Sequence, residues 1–333
     1  MIFSSLRKQI EHVRRKAYIL AHFNPSFHRR VADSRQDRFI TCSGKIGGVG
    51  SQVLAVLSGM LFARDMGLKY VHSPFKQIQH NTDNDSSWEA KWEKFFNLGK
   101  DELSVDEISI STENYVYLES LADTSLNMTN TLYILRHCHE YANLFPNRYS
   151  YLTDRLVDKY FSSSKTAFQS YYDRSKINVA IHVRRGDVLP HGNNASRHTA
   201  NQFICSVVED VLSAISNLPL TPSLCLYSEG KAAEFGPLQD MGIHFYLNEC
   251  PFSAFHNLVS ADVLVMSKSA FSYSAALFSQ GIKVYESFKN SPFYHRPLDD
   301  WLIADKSGRI DINRLLQKLR NSQLVKNLYA EFR

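Results

Sequence analysis

The sequence predicts an α/β protein built from parallel, doubly wound sheets, and three observations carry that prediction. A strand–glycine loop–helix–strand unit occupies residues 38–72. A second series of short apolar strands, separated by helical patterns, begins at Ile177. The chain has 333 residues, enough for two domains of ordinary size. Strands that alternate with helices pair in parallel, because each crossover returns the chain to the same edge of the sheet. Two such Rossmann-like halves are expected to face each other across a cleft.

The first 38 residues carry nine basic side chains (Arg7, Lys8, Arg14, Arg15, Lys16, Arg29, Arg30, Arg35, Arg38) against three acids, Glu11, Asp33 and Asp37. The whole chain is only +5, so its basic character belongs to this arm and the remainder is close to −1. The arm reads either as a solvated amphipathic helix lying on the domain or as a foot on an anionic membrane surface. No run of about 18 apolar residues exists to span a bilayer, and Ala17–Phe23 is too short for a signal sequence. The five cysteines form no Cys-x-x-Cys pair, and four sit in apolar or helical patterns. That usage favours a reducing, cytoplasmic setting. A sequon at Asn194, one of three with Asn84 and Asn127, would put a glycan beside the arginine loop described below.

Arg38–Cys42 reads as a strand, followed by the loop Gly44–Gly50 and a helix starting near Ser51 or Gln52. Val53, Val56, Leu57, Met60 and Leu61 recur at the spacing of one buried helix face. Gly67 ends that helix, and Leu68–His72 is the next strand. The glycine loop matches neither a dinucleotide fingerprint nor a phosphate-binding P-loop. It reads equally as a tight turn or as free backbone offered to a polar ligand at a helix start. Residues 76–150 are less regular. There Trp88, Trp92, Phe95 and Phe96 form a core helix face, with an acceptor-binding aromatic surface as the alternative. Asp83-Asn84-Asp85 follows a polar stretch and reads as a surface turn, not a metal motif. The trio His137-Cys138-His139 cannot converge on one metal and reads as structural. Residues 152–172 look helical.

The second half opens with the apolar strand Ile177–Val183, which stops at Arg184-Arg185-Gly186-Asp187. Thr199 and Gln202 have the spacing of a capping box, before a helix burying Phe203, Ile204, Val207, Val208, Val211, Leu212 and Ile215. Further strands are expected at 224–227, 243–247, 263–266 and 282–285, and an amphipathic helix at 311–332. The chain therefore divides into a basic arm (1–37), an N-terminal α/β domain (38–172), a C-terminal Rossmann-like domain (173–310) and a closing helix (311–333).

Ligands of open α/β sheets sit beyond the carboxyl ends of strands. Two guanidiniums placed there make an anchor for a diphosphate, since Arg offers a planar fork of donors that stays charged. The bland alternative is a structural Arg–Asp pair closing the strand. His182 on the same strand face and the long polar loop 184–198 weigh against it. Asp187, His191 and His198 are candidates by position for a general base. Ser267-Lys268-Ser269-Ala270-Phe271-Ser272 follows the strand at 263–266 and opens a helix. It reads as a serine-rich N-cap or as a second phosphate or ribose contact.

His182-x-Arg184-Arg185-Gly186-Asp187 resembles the His-x-Arg-Arg-x-Asp motif of the fucosyltransferase superfamily that includes alpha-1,2-, alpha-1,6- and protein O-fucosyltransferases. Gly47-Gly48-Val49-Gly50-Ser51-Gln52 is similar to that group's Gly-Gly-x-Gly-Asn-Gln element, with Ser51 for Asn. Ser269-Ala270-Phe271-Ser272 is similar to its Ser-Ser-Phe-Ser element, with Ala270 for Ser. The resemblance implies a GT-B-like fold with an N-terminal acceptor side and a C-terminal nucleotide-sugar domain. It implies an inverting, metal-independent glycosyltransferase moving fucose from GDP-fucose to a glycan or lipid-linked glycan. No cofactor is expected beyond GDP-fucose as co-substrate. Arg184, His182 and Asp187 would be catalytic. Arg185, His256, Ser267, Ser269, Phe271, Ser272, Gly48, Gly50 and Gln52 would bind the donor. Another nucleotide sugar, or a non-catalytic nucleic-acid or membrane-binding module, is the alternative. Nucleic acid is disfavoured, because the positive charge is not interleaved with aromatics.

Overall fold

Apolar runs too short for helices become strands wherever helices cover them on both faces, and this chain does so twice. A computed structural model describes residues 2–24, 37–123, 126–165, 168, 170–173, 175–191, 194–287 and 295–322. The chain forms two units, Met1–Ser163 and Ser164–Arg333.

In the first unit, β1 (Arg38–Cys42), β2 (Lys69–His72), β3 (Leu103–Ser104), β4 (Tyr115–Leu118) and β5 (Thr131–Leu135) make a wholly parallel sheet in the order β3-β2-β1-β5-β4. Helix α1 (Ile2–His22) buries Ile19, and Phe23, just after it, meets Phe62 edge-on at 5.3 Å. Helix α2 (Val49–Met66) connects β1 to β2 and begins two residues earlier than the sequence suggested, with Gly48 as an extended N-cap. Nor does it bury only one face: nearly every residue from Val49 to Ala63 is buried. Small residues on its other sides let the sheet approach, and a side chain at Gly59 would come within 2.6 Å of Cys42 Sγ. Gly67 closes the helix in the left-handed region at φ 65°, donating to the carbonyl of Ala63.

Helix α3 (Trp88–Phe96) puts Trp92, Phe95 and Phe96 into the core, where Phe95 meets Tyr160 edge-on. Helices α4 (His139–Leu144) and α5 (Thr153–Ser162) complete the unit. The helix expected over 152–172 therefore stops at Ser162, where the Ser162 and Ser163 hydroxyls donate back to main-chain carbonyls. Asp85 accepts from Ser87 and Lys91 in a surface turn, and His137 stacks on His139 at 4.2 Å.

In the second unit, β6 (Ile177–His182), β7 (Pro222–Ser228), β8 (His244–Leu247), β9 (Val263–Val265), β10 (Ile282–Glu286) and β11 (Leu302–Ala304) form a second parallel sheet, in the order β11-β10-β9-β6-β7-β8. Helices α6 (Asn201–Ile215), α7 (Pro251–Ser260), α8 (Ala270–Phe278) and α9 (Ile312–Asn321) cover it. One apolar core runs from Ile177 and Val179 through Val207, Val208 and Val211 to Leu315 and Leu319. The expected capping box does not form. The Thr199 hydroxyl instead donates to the buried carboxylate of Glu286, and Ala200 is the N-cap. The closing helix is described to Asn321, and the rest of its expected span lies outside the described residues.

Candidate anion-binding site

Strands β6 and β9 are neighbours, yet the chain leaves them toward opposite edges of the sheet. The crevice between two such strand ends is where open α/β sheets bind ligands. It is bridged here by a hydrogen bond of 2.8 Å between His182 Nδ1 and the hydroxyl of Ser267. Burial, and then the charge of Arg184, push the His182 pKa down to about 3. The imidazole is therefore neutral at pH 7 and acts as a positioned donor or acceptor, not as a cation.

Arg184 follows the end of β6. Its Nε donates to Asp187 Oδ1 at 2.9 Å and its Nη2 to Asp187 Oδ2 at 2.8 Å. Nη1 lies 3.4 Å from the hydroxyl oxygen of Ser269, the N-cap of α8, which also accepts from the Phe271 amide at 3.2 Å. A guanidinium aimed at a helix start adds its charge to the positive end of the helix dipole. Gly186 makes the turn possible. It sits at φ 66°, and a Cβ there would lie 1.9 Å from Glu229 Oε2.

The second arginine of the motif turns inward. Arg185 is buried, and its Nη2 donates to the Thr199 carbonyl at 3.1 Å and to Asn201 Oδ1 at 2.8 Å. Its guanidinium stands over Phe235, 5.5 Å from the ring centre. It ties the loop 184–199 to α6. Ser272 is fully buried and donates to the carbonyls of Ser267 and Ser269 inside the helix start. Phe271 packs against His182 and Phe255. His256 on α7 lies near Lys165, and burial followed by that charge pushes its pKa down to about 4.

Gly48, Gly50 and Gln52 belong to the other unit. Gly48 caps α2, Gly50 is buried in its first turn, and Gln52 Nε2 donates to the Lys76 carbonyl at 2.8 Å. Gln52 thus secures a loop.

Two basic residues at the second unit's site were not singled out from the sequence. Arg197, in the polar loop, donates through Nε to the Lys268 carbonyl at 3.4 Å. Burial, and then Arg184 nearby, push its pKa down to about 10, so it stays charged. Lys268 pairs with Glu286 at 2.8 Å. Arg197 could have been suspected only as an extra base in that loop. Half-buried guanidiniums beside one carboxylate, a neutral imidazole and a helix start make a site suited to a phosphate or diphosphate.

No protein-family model and no curated protein matches this sequence at a significant level. Among solved structures, the chain is similar to POFUT1 in complex with GDP, with 11% identity over 74% of this chain and 96% of that one, at a TM-score of 0.38. It is similar to POFUT1 in complex with GDP-fucose at 12% identity over 75% and 97%, with a TM-score of 0.38. For the POFUT1 apo form the values are 11% identity, 73%, 94% and 0.37.

Proposed function

We propose that this protein is a glycosyltransferase that moves fucose from GDP-fucose to a glycan hydroxyl, with inversion and without a metal. One observation carries the reading: a guanidinium fixed by Asp187 at the crevice between β6 and β9, beside the N-cap of α8. Glycosyl transfer puts growing negative charge on the leaving diphosphate. Cationic donors already in place stabilise that charge more than the ground state, and this differential is what raises the rate. In this mechanism Arg184 takes the β-phosphate, with Arg197 as a second cation. Neutral His182 and Ser269 orient the oxygens, and Asp187 orients Arg184. Both oxygens of Asp187 are engaged with Arg184, so the base that accepts the acceptor's proton is not assigned to it.

The proposal extends to location. The protein works in the cytoplasm, peripheral to a membrane, on a lipid-linked acceptor. What supports this is a face of α1 on which Ile10, Val13 and Leu20 are 47%, 64% and 44% exposed, with Arg14 and Lys16 on the same helix.

The deciding experiment is calorimetric titration with GDP, UDP and CMP in the presence of EDTA. Binding of GDP alone, lost in Arg184→Ala, is the expected result. Binding of UDP in its place would change the donor. Binding of none would remove the transferase reading.

A further inference from the structure

The carboxyl end of the first unit's sheet carries charge that the proposed reaction does not use. β1 and β5 are neighbours there. The Ser43 amide donates to the Leu135 carbonyl at 2.8 Å and closes the gap between the two strands. Just beyond stand Lys45, three residues past β1, and Arg136, the residue after β5, at one end of the sheet because Cys42 pairs with Leu135.

These cations repel one another. Burial, and then Arg136, push the Lys45 ammonium below its ordinary range. Burial first, and both cations with it, push His137 down to about 4. Several other bases of this unit have acids, Arg148 with Asp65, Lys91 with Asp85, Lys100 with Asp158, and Lys159 with Glu102, whereas Lys76 and Lys94, like Lys45 and Arg136, have none among the described residues. Among the described residues, no hydrogen bond or ion pair is made by the side chain of Lys45 or Arg136. Lys45 also lines a recess with Ser43, Gln52, Ser73 and Lys76, where the Ser73 hydroxyl donates to Ser43 Oγ at 3.3 Å. Glu119 and Glu140 line a neighbouring recess with His137, but neither pairs with Lys45 or Arg136. Gathering like charges at a strand end is unfavourable until an anion arrives.

We infer that Lys45 and Arg136 form a second anion site, which takes an oxyanion group (phosphate, sulfate or carboxylate) on a ligand of the first unit. Assigning that group to an acidic acceptor glycan rests on the proposed transferase function; the site itself does not.

The test titrates the full chain with inorganic phosphate, and separately with glucuronate, with and without saturating GDP. Wild type is expected to bind phosphate whether or not GDP is present. Lys45→Ala and Arg136→Ala should each weaken phosphate binding roughly tenfold or more, since each removes a charge-assisted contact. GDP binding should be unchanged in both, and Arg136→Lys should retain most of the phosphate affinity. Circular dichroism checks that each variant is folded. Phosphate binding unaltered in folded Lys45→Ala and Arg136→Ala would overturn the site, as would complete displacement of phosphate by GDP. Phosphate bound without glucuronate would keep the site and overturn its assignment to an acidic saccharide. Failure of GDP to bind leaves the phosphate titration still decisive, so the two proposals can fail separately.

Discussion

Asp187 grips Arg184 through both of its carboxylate oxygens, at 2.9 and 2.8 Å, leaving Nη1 directed toward Ser269. A fork held at two points loses little freedom when a phosphate arrives, and its charge is already placed. Asp187→Asn should keep the fold and weaken GDP binding by roughly threefold to tenfold, through loss of that grip. The pH–rate profile of the variant should keep its shape. Loss of its acid-side dependence, the fall in rate as a carboxylate base is protonated, would make Asp187 the base after all.

Adjacent arginines in the motif should give opposite phenotypes. Arg184→Ala should lower GDP affinity by roughly ten- to a hundredfold with little change in stability. Arg185→Ala should cost about 2–4 kcal/mol of stability, because it strands the buried Thr199 carbonyl and the Asn201 side chain. Urea unfolding and calorimetry on the two variants separate these outcomes, and equal effects on both quantities would refute the division of labour.

Gly186 tests the turn. Alanine there would be strained at φ 66° and would drive its Cβ against the Glu229 carboxylate. About 1–3 kcal/mol of destabilisation is expected. Adding Glu229→Ala should recover the steric part and leave the backbone part. A Gly186→Ala variant as stable as wild type would mean that the turn relaxes freely.

Stability should fall on acidification. The imidazoles of His182, His137 and His256 are pushed down to about 3, 4 and 4, by burial first in each case. Below the ordinary imidazole value of about 6.5 the unfolded chain then binds more protons than the folded one. The stabilisation is complete above that pH and is lost as the pH drops from about 6.5 toward 4. Half-buried Asp262 and buried Glu286, whose carboxyls are pushed up, act in the opposite sense, so the test uses single variants. Urea midpoints between pH 7.5 and 5 should show the slope, and His182→Gln should reduce it. An unchanged slope would count against a neutral His182.

Helix α1 can be tested on lipid. Vesicles containing phosphatidylserine should carry the protein to the top of a flotation gradient, and Val13→Asp with Leu20→Asp should abolish this. High salt should weaken it by screening. Equal flotation with neutral lipid would remove the electrostatic part of the proposal.

Much of the second unit was legible because its strands are apolar runs separated by regular helices, and β6 ends where its charged residues begin. Other features were not legible, for physical reasons. Strands of two to four residues such as β3, β4 and β11 carry too little periodicity to be seen. Helix α2 shows a clear face in its pattern, yet it is buried all round, since Gly59 and its small neighbours admit the sheet. Which of Arg184 and Arg185 meets a ligand depends on the turn at Gly186, and spacing does not encode that. Lys45 and Arg136 share one sheet end only because β1 pairs with β5, a register that no local pattern announces.

Both sheets are wholly parallel, and this shapes how the chain reaches its native state. No ladder can be closed by a hairpin, so each pairing waits for a crossover to be made. Arg38 must find Thr131 to join β1 to β5. Loop closure over such distances is entropically slow, and topologies rich in remote contacts fold late. During synthesis from the N-terminus, β1 is therefore exposed long before its partner β5 exists. A newborn first unit holds an unpaired apolar strand edge for seconds, the state that chaperones recognise and that aggregation exploits.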